Sequence, residues 1–222
     1  ATAYKLDDFR PYLFVTTDYG RNWKAIVRGI PEDEFTRVIR ADAERPGLLY
    51  AGTERGVWYS TDDGAHWRRL QLNLPIVPIT DLAIRDGHLA AATQGRGYWM
   101  FDDLGLLRQA SDKHFADTPW LFTPAPALRL PNRSSDEPGH QGRNPAAGAV
   151  LHYWLPEELP PETPLELAIV DRNGETVRTF TRKPEQADEE KEAAKGDDDR
   201  LLTTTTGLNR LEWNDRTRQC VV

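Results

Sequence analysis

The sequence predicts an all-β protein in which a repeated four-stranded unit is followed by a smaller β-domain. A [ST]-x-D-x-G-x-x-W pattern occurs at 16–23 and 60–67, and a worn copy follows at 101–108. The copies start 44 and 41 residues apart, a period typical of repeated units built from four short strands. Short apolar and aromatic segments, separated by turn residues, fill the intervals between copies.

The pattern itself is predicted to shape a turn. The complete copies contain Thr16, Asp18, Gly20 and Trp23, and Ser60, Asp62, Gly64 and Trp67, whereas the third copy keeps only Asp103 and Gly105. We expect the aspartate to accept hydrogen bonds from its own turn, with the glycine at a positive φ. The tryptophan ring should cover the apolar side of the hairpin. These residues are therefore interpreted as structural, and the turn is placed between the third and fourth strands of each unit.

The segments around each copy complete the unit. Aromatic strands at 12–15, 57–59 and 98–100 lead into the three copies, and two of them follow a tight glycine turn. Two further apolar segments precede each of those two strands. Four strands per unit at this spacing is the architecture of a β-propeller blade, so about three blades are predicted over residues 1–110.

These residues resemble the Asp-box, or BNR, repeat of sialidases and sortilin-type propellers. The likeness is greatest to the C-terminal part of bacterial sortilin-like proteins that are often labelled glycosyl hydrolases, in which an N-L-P segment (here 73–75) precedes a T-x-G-R-G-[FY]-W strand (here 93–99). The resemblance implies that this chain is a fragment whose first partners are the remaining blades of its parent. It also implies a periplasmic or extracellular parent, and the first residues of the chain show no signal-peptide pattern.

The second half of the chain predicts a different domain. Residues 111–147 are interpreted as a linker that lies on the propeller, anchored by Trp120, Leu121 and Phe122. Strand patterns return over 148–222, where motifs at 148–153, 167–178 and 207–213 resemble the small immunoglobulin-like or fibronectin-like domain of the same family. The run 183–200 holds eight acidic and four basic residues and is predicted to be a solvated loop. A calcium site at 197–199 is the alternative, but it lacks alternating ligands and a turn glycine.

Composition excludes several functions. A net charge of −7 and a pI near 5.3 argue against a nucleic-acid partner. No apolar run reaches the length of about 18 residues that a membrane span needs. The one cysteine, Cys220, and five scattered histidines give no metal-ligand spacing, so neither a metal nor a cofactor is expected.

The candidate ligand site is predicted on the face opposite the Asp-boxes. In a propeller this face surrounds the central channel and carries the turn between the second and third strands and the connection between blades. The residues assigned to it are Asp8, Arg10, Glu34, Glu54, Arg55, Gln94 and Arg96. Carboxylates and arginines suit recognition of charged groups, and two carboxylates roughly 5–9.5 Å apart would suit glycoside hydrolysis.

Three functions are compatible with this site. We expect a non-catalytic chain that binds a protein or peptide through the channel face. The alternative is part of a glycoside hydrolase, sialidase-like or glucanase-like, that acts on extracellular glycans. A purely structural module is the third possibility, and it predicts no pocket lined by several blades.

A three-blade arc leaves two exposed sheet edges, and exposed edges pair with other chains. We therefore expect the isolated chain to oligomerise or aggregate. Light scattering over a range of concentrations measures this, and a monomer whose mass is independent of concentration would contradict the fragment interpretation.

Overall fold

The computed structural model of the chain describes residues 1–110, 118–127, 148–160, 162–182 and 201–213. β-strand is the predominant regular structure of the described residues, and the strands form chiefly antiparallel sheets that do not close, so the predicted all-β class is confirmed. The chain divides into two compact units, Ala1–Leu104 and Gly105–Val222.

Three sheets make up the first unit. A 3-10 helix at Tyr4–Leu6 precedes the first sheet, which is the hairpin of β1 (Phe14–Val15) and β2 (Lys24–Ala25). The second sheet runs in the order β3 (Thr36–Ala41), β4 (Leu49–Thr53), β5 (Val57–Ser60) and β6 (Arg68–Arg69). The third sheet contains β7 (Ile79–Arg85), β8 (His88–Thr93) and β9 (Tyr98–Phe101). Only the second sheet has the four strands that the sequence predicts for each unit.

The second and third sheets repeat each other in detail. The pairing of β3 with β4 shifts register between Thr36 and Val38, and that of β7 with β8 shifts between Ile79 and Asp81. At the next turn the Thr53 amide donates to the Gly56 carbonyl at 2.9 Å. The Thr93 amide donates to the Gly97 carbonyl at 3.1 Å in the same way. The sequence repeat is therefore also a repeat of bulges and turns.

The two sheets pack face to face through β7, which lies against β3 and β4. Gly52 of β4 allows this close approach, because a Cβ atom at that position would lie 2.6 Å from side-chain carbons of both Val38 and Ile79. Leu48, Tyr50, Ile79 and Leu82, in or next to the strands β4 and β7, are buried. A larger residue at position 52 would force the sheets apart.

The complete box turns have the geometry that the sequence predicts. In the second box the Asp62 carboxylate accepts hydrogen bonds from the Ser60 hydroxyl at 2.8 Å and the His66 amide at 2.9 Å. Burial raises the pKa of Asp62, but hydrogen bonds from the side chain and backbone of His66 outweigh it and lower the pKa to about 2. Gly64 has a φ of 83°. The turn therefore organises itself around an ionised carboxylate.

The first box repeats this arrangement. The Asp18 carboxylate accepts from the Asn22 amide at 2.8 Å and from the Thr16 hydroxyl at 2.9 Å, and Gly20 has a φ of 87°. The two boxes differ in their tryptophans: Trp67 is only 4% exposed, whereas Trp23 is 62% exposed. The Trp23 ring donates to its own Gly20 carbonyl at 3.1 Å. The predicted cover of the hairpin is thus complete only in the second box.

The incomplete third box makes one of the contacts of the second box, but the strand that is predicted to follow it is not formed. The Leu104 amide donates to the Gly87 carbonyl at 2.8 Å, as the Asp63 amide does to Gly47 at 3.0 Å in the second box. After this contact the chain forms the short helix α1 (Gly105–Gln109) in place of the expected fourth strand. Gly105 begins that helix and is not among the glycines that the structure places at positive φ.

Two three-stranded sheets form the second unit. One contains β10 (Trp120–Leu121), β11 (Ala149–Leu155) and β15 (Gly207–Trp213), and the other contains β12 (Glu166–Val170), β13 (Thr176–Arg182) and β14 (Leu201–Leu202). Both sheets supply one apolar cluster, composed of Leu151, Tyr153, Leu155, Phe180, Leu202 and Leu211. The hairpin predicted at 171–174 is present, with Gly174 at a φ of 83°.

The segment predicted to be a linker contributes to this second unit. Trp120 and Leu121 form β10 and pair with Trp154 and Tyr153 of β11. An anchoring role of these residues on the first unit stays a prediction. The predicted charged loop at 183–200 and Cys220 lie outside the described residues.

Gly64→Ala should destabilise the first unit more than Gly20→Ala. Both alanines would adopt a left-handed backbone, at about 1–2 kcal/mol each. A Cβ at position 64 would also lie 2.7 Å from Ile26 Cδ1, which adds an overpacking cost of about 1–3 kcal/mol. At position 20 the nearest atom is 3.7 Å away, in the Trp23 ring. Urea unfolding of both variants measures the difference, and equal midpoints would contradict the packing of the second box on Ile26.

Candidate functional site

The predicted site residues of the second sheet lie at the end opposite its box. The turn between β4 and β5 carries Glu54 and Arg55, and it contacts the segment that leads into β3. Arg55 pairs with Asp33 at 2.8 Å, and Arg37 pairs with Glu54 at 2.6 Å. The box contacts the β3–β4 turn at the other end of the sheet. The separation of box and candidate site that the sequence predicts is therefore present within this sheet.

Glu34 is a buried residue at this end. Its side chain is 1% exposed, and its Oε1 accepts hydrogen bonds from the Thr53 hydroxyl and from Trp58 Nε1, the latter at 2.9 Å. A buried carboxylate is costly unless it is hydrogen-bonded, and these two donors supply that compensation. Glu34 thus ties the β4–β5 turn to the segment before β3. Its predicted role in ligand binding stays a prediction.

Asp8 and Arg10 form one compact group with Tyr12. Arg10 binds both carboxylate oxygens of Asp8, at 3.0 and 2.7 Å, and the Tyr12 hydroxyl donates to Asp8 at 2.5 Å. These bonds hold the pKa of Asp8 well below its ordinary value of 3.8, with the hydrogen bond from Arg10 as the largest cause. Tyr12 also places the group on the second sheet, because its amide donates to the Thr36 hydroxyl at 3.2 Å.

An aromatic cluster accompanies these ion pairs, and sequence reasoning did not assign it to the site. The Tyr4 and Phe35 rings stack at 4.8 Å, and the Arg37 guanidinium lies 5.0 Å from the Phe35 ring centroid. Arg37 therefore joins the Glu54 carboxylate to an aromatic surface. Its only sequence signal was a position at the start of a β-strand, which does not distinguish it from other exposed arginines.

Gln94 and Arg96 lie in the turn between β8 and β9 of the third sheet, and both are exposed. The Gln94 amide donates to the Pro78 carbonyl at 2.9 Å, and the Arg96 carbonyl accepts from Trp99 Nε1 at 3.1 Å. Within the described residues, no hydrogen bond or ion pair links these two residues to the other five predicted site residues. The bonds of Gln94 and Arg96 thus stay within the third sheet and the segment before it.

Gln71 organises the connection after β6 and was not predicted. Its amide donates to the Leu74 and Pro75 carbonyls at 2.6 and 2.9 Å, and its oxygen accepts from Arg69 at 2.9 Å. The oxygen also occupies the space that a Cβ on Gly56 would need. The N-L-P segment thus begins in a turn held by a single glutamine.

The described residues contain no group of three or more His, Cys, Asp or Glu side chains placed to hold a metal ion. None of the described helices is long and apolar enough to cross a membrane.

Comparison of the chain with protein-family models, with curated proteins and with solved structures finds no match. The resemblance to Asp-box propellers therefore stands on the sequence motifs, and the proposals below stand on the residues of this chain.

Replacing Arg10 by glutamine should raise the pKa of Asp8 more than replacing Tyr12 by phenylalanine, because Arg10 supplies both a charge and a bidentate contact. A carboxyl group with a lowered folded-state pKa stabilises the fold above its unfolded pKa, and this stability is lost as the pH falls through the folded value. Carboxyl NMR titration of the two variants measures the shifts. An unchanged Asp8 titration in Arg10→Gln would contradict a preformed pair.

Proposed function

We propose that this chain is a non-catalytic part of a sortilin-like Asp-box propeller and that it binds a protein or peptide through the face that carries Asp8, Glu54 and Arg55. The observation that carries this proposal is that all three candidate carboxylates are already bonded to side chains of this chain. Asp8 is bound by Arg10 and Tyr12, Glu34 by Thr53 and Trp58, and Glu54 by Arg37.

This arrangement favours recognition over hydrolysis. Glycoside hydrolysis needs a carboxylic acid that gives up a proton and a second carboxylate that acts as base or nucleophile. A bidentate arginine keeps Asp8 ionised, which is unsuited to a general acid. Glu34 is buried, and its carboxylate is bonded to two hydrogen-bond donors. The hydrolase alternative would require the site to break these contacts first.

The exposed arginines are better suited to a charged peptide group. The pair between Arg55 and Asp33 is largely solvated, with side chains 45% and 67% exposed, so exchanging Asp33 for a ligand carboxylate costs little. The Arg96 side chain is exposed in the equivalent turn of the third sheet. The exposed rings of Tyr4 and Phe9, which contact Phe35, supply apolar surface beside Arg37.

The remaining parts of the proposal follow from the motif resemblance. The parent would supply further blades as the first partners of this chain, and the parent would be periplasmic or extracellular. The second unit would be an immunoglobulin-like domain, which its two sheets and shared core support without distinguishing it from other small sandwiches.

A displayed random-peptide library tests the proposal. We expect peptides selected on the whole chain to lose at least about tenfold in affinity for an Arg55→Ala/Arg96→Ala variant, because a charged hydrogen-bonded contact is removed at each position. Arg172→Ala, at an exposed turn of the second unit, is the matched control and should bind as the wild type does. A selection in which no peptide loses affinity for the double variant would contradict the assigned face.

A second assay addresses the hydrolase alternative. The whole chain is incubated with fluorogenic sialosides and β-glucosides, and we expect no turnover above buffer. Turnover that is abolished by Asp8→Asn or by Glu54→Gln would overturn the non-catalytic proposal and favour a glycoside hydrolase.

A further inference from the structure

Equivalent segments line the two junctions between neighbouring sheets. Leu13 and Val57 lie 44 residues apart, as do Ile26 and Leu70. The Ile26 amide donates to the Leu13 carbonyl at 2.9 Å, and the Leu70 amide donates to Val57 at 2.8 Å. The connection that follows each pair also forms the same turn. The Ile30 amide donates to the residue 27 carbonyl in one, and the Leu74 amide donates to the residue 71 carbonyl in the other. The first two sheets and the last two sheets are therefore joined by the same structure.

Trp67 fills the first junction. Its ring lies in a buried cluster with side chains that flank the strands of the first sheet, with the connection after that sheet, and with the second sheet. Trp67 Nε1 donates to the Ile26 carbonyl at 2.7 Å, and its amide donates to the Arg28 carbonyl at 2.8 Å. The second box thus places an indole and two hydrogen-bond donors against the segment that connects the first sheet to the second.

The second junction has the same lining and no tryptophan from its own box. The apolar neighbours of Trp67 are Leu13, Ile26, Ile30, Ala51 and Trp58, and their equivalents are Val57, Leu70, Leu74, Ala91 and Trp99. All five equivalents line a single pocket, which we name the open groove. The residue equivalent to Trp67 is Arg108, in α1. The open groove therefore has the walls of a tryptophan site without that tryptophan.

The strand beside the open groove has an edge to which another strand can pair. In the second sheet, β6 follows Trp67 and pairs with β5, with Arg69 opposite Trp58 and Arg68 opposite Tyr59. Among the described residues β9 pairs only with β8, and its Tyr98 and Met100 side chains are 84% and 56% exposed. An added strand could thus continue the third sheet as β6 continues the second.

We propose that the open groove binds an extended peptide segment that carries a tryptophan, with the indole between the second and third sheets and the peptide backbone paired with β9. By equivalence with β6, the two residues after the tryptophan pair with Met100 and Trp99. The indole N–H donates to the Leu70 carbonyl. We choose tryptophan as the occupant because the five equivalent residues of the first junction surround Trp67.

This site is separate from the face assigned above. It does not include Asp8, Glu54 or Arg55, and it depends on the equivalence of the two junctions rather than on the proposed function. Loss of peptide binding at one site therefore leaves the other untouched.

The probe is a capped synthetic peptide with the sequence of residues 64–70, Gly-Ala-His-Trp-Arg-Arg-Leu, labelled for fluorescence anisotropy and added to the whole chain. We expect saturable binding with a Kd below about 1 mM, and a loss of at least about tenfold when the peptide tryptophan is replaced by alanine. The alanine peptide has the same charge, so it controls for attraction to the acidic chain.

Two surface variants locate the binding. Met100→Lys places a charge on the wall of the open groove and should weaken binding at least about tenfold. Ile76→Lys is the matched control, since Ile76 is 75% exposed and does not line the open groove, and it should bind as the wild type does.

The proposal would be overturned if no saturable binding is seen, if the tryptophan and alanine peptides bind equally, or if the two lysine variants have equal effects. Binding only to a Trp23→Ala variant would also overturn it, because Trp23 of a second copy would then occupy the open groove.

Discussion

The first unit depends on one buried tryptophan. Trp67 inserts between the first and second sheets, and its indole N–H and backbone amide both bond to the chain that connects those sheets. Truncation of a buried tryptophan to alanine costs about 3–5 kcal/mol, a large part of the stability of a small domain. The Asp62 turn that precedes Trp67 is itself held by hydrogen bonds from Ser60 and His66. Gly64 then allows the turn to lie against Ile26.

The contact between a box tryptophan and its neighbouring segment also explains the two ends of the first unit. The first box has a complete turn and a tryptophan, but Trp23 is mostly exposed because no described segment covers it as the 26–30 segment covers Trp67. The second junction has the reverse condition, because its lining is present and its box supplies no tryptophan. One end of the repeat thus presents an uncovered indole and the other an open groove, which is the arrangement of an interrupted series of equivalent contacts.

The candidate site obeys a different constraint, the need to compensate charge. Glu34 is buried and is bonded by Thr53 and Trp58, so its carboxylate connects the turn after β4 to the segment before β3. Glu54 and Asp8 have arginine partners on the same chain. A surface whose carboxylates are already bonded is preorganised.

The sequence by itself determined the all-β class, the box turns and the strands of the second sheet, because these follow from local patterns: an aspartate with its own turn amides, glycines at positive φ, and short apolar segments. It also placed Glu54 and Arg55 opposite the box. Tertiary structure alone decided that Trp67 is buried and Trp23 exposed, since both have the same local sequence and differ only in what lies beside them. It likewise decided that Glu34 is interior, that residues 105–109 form a helix, and that Trp120–Leu121 form a strand. Each of these depends on contacts between segments distant in sequence, and no local pattern contains that information.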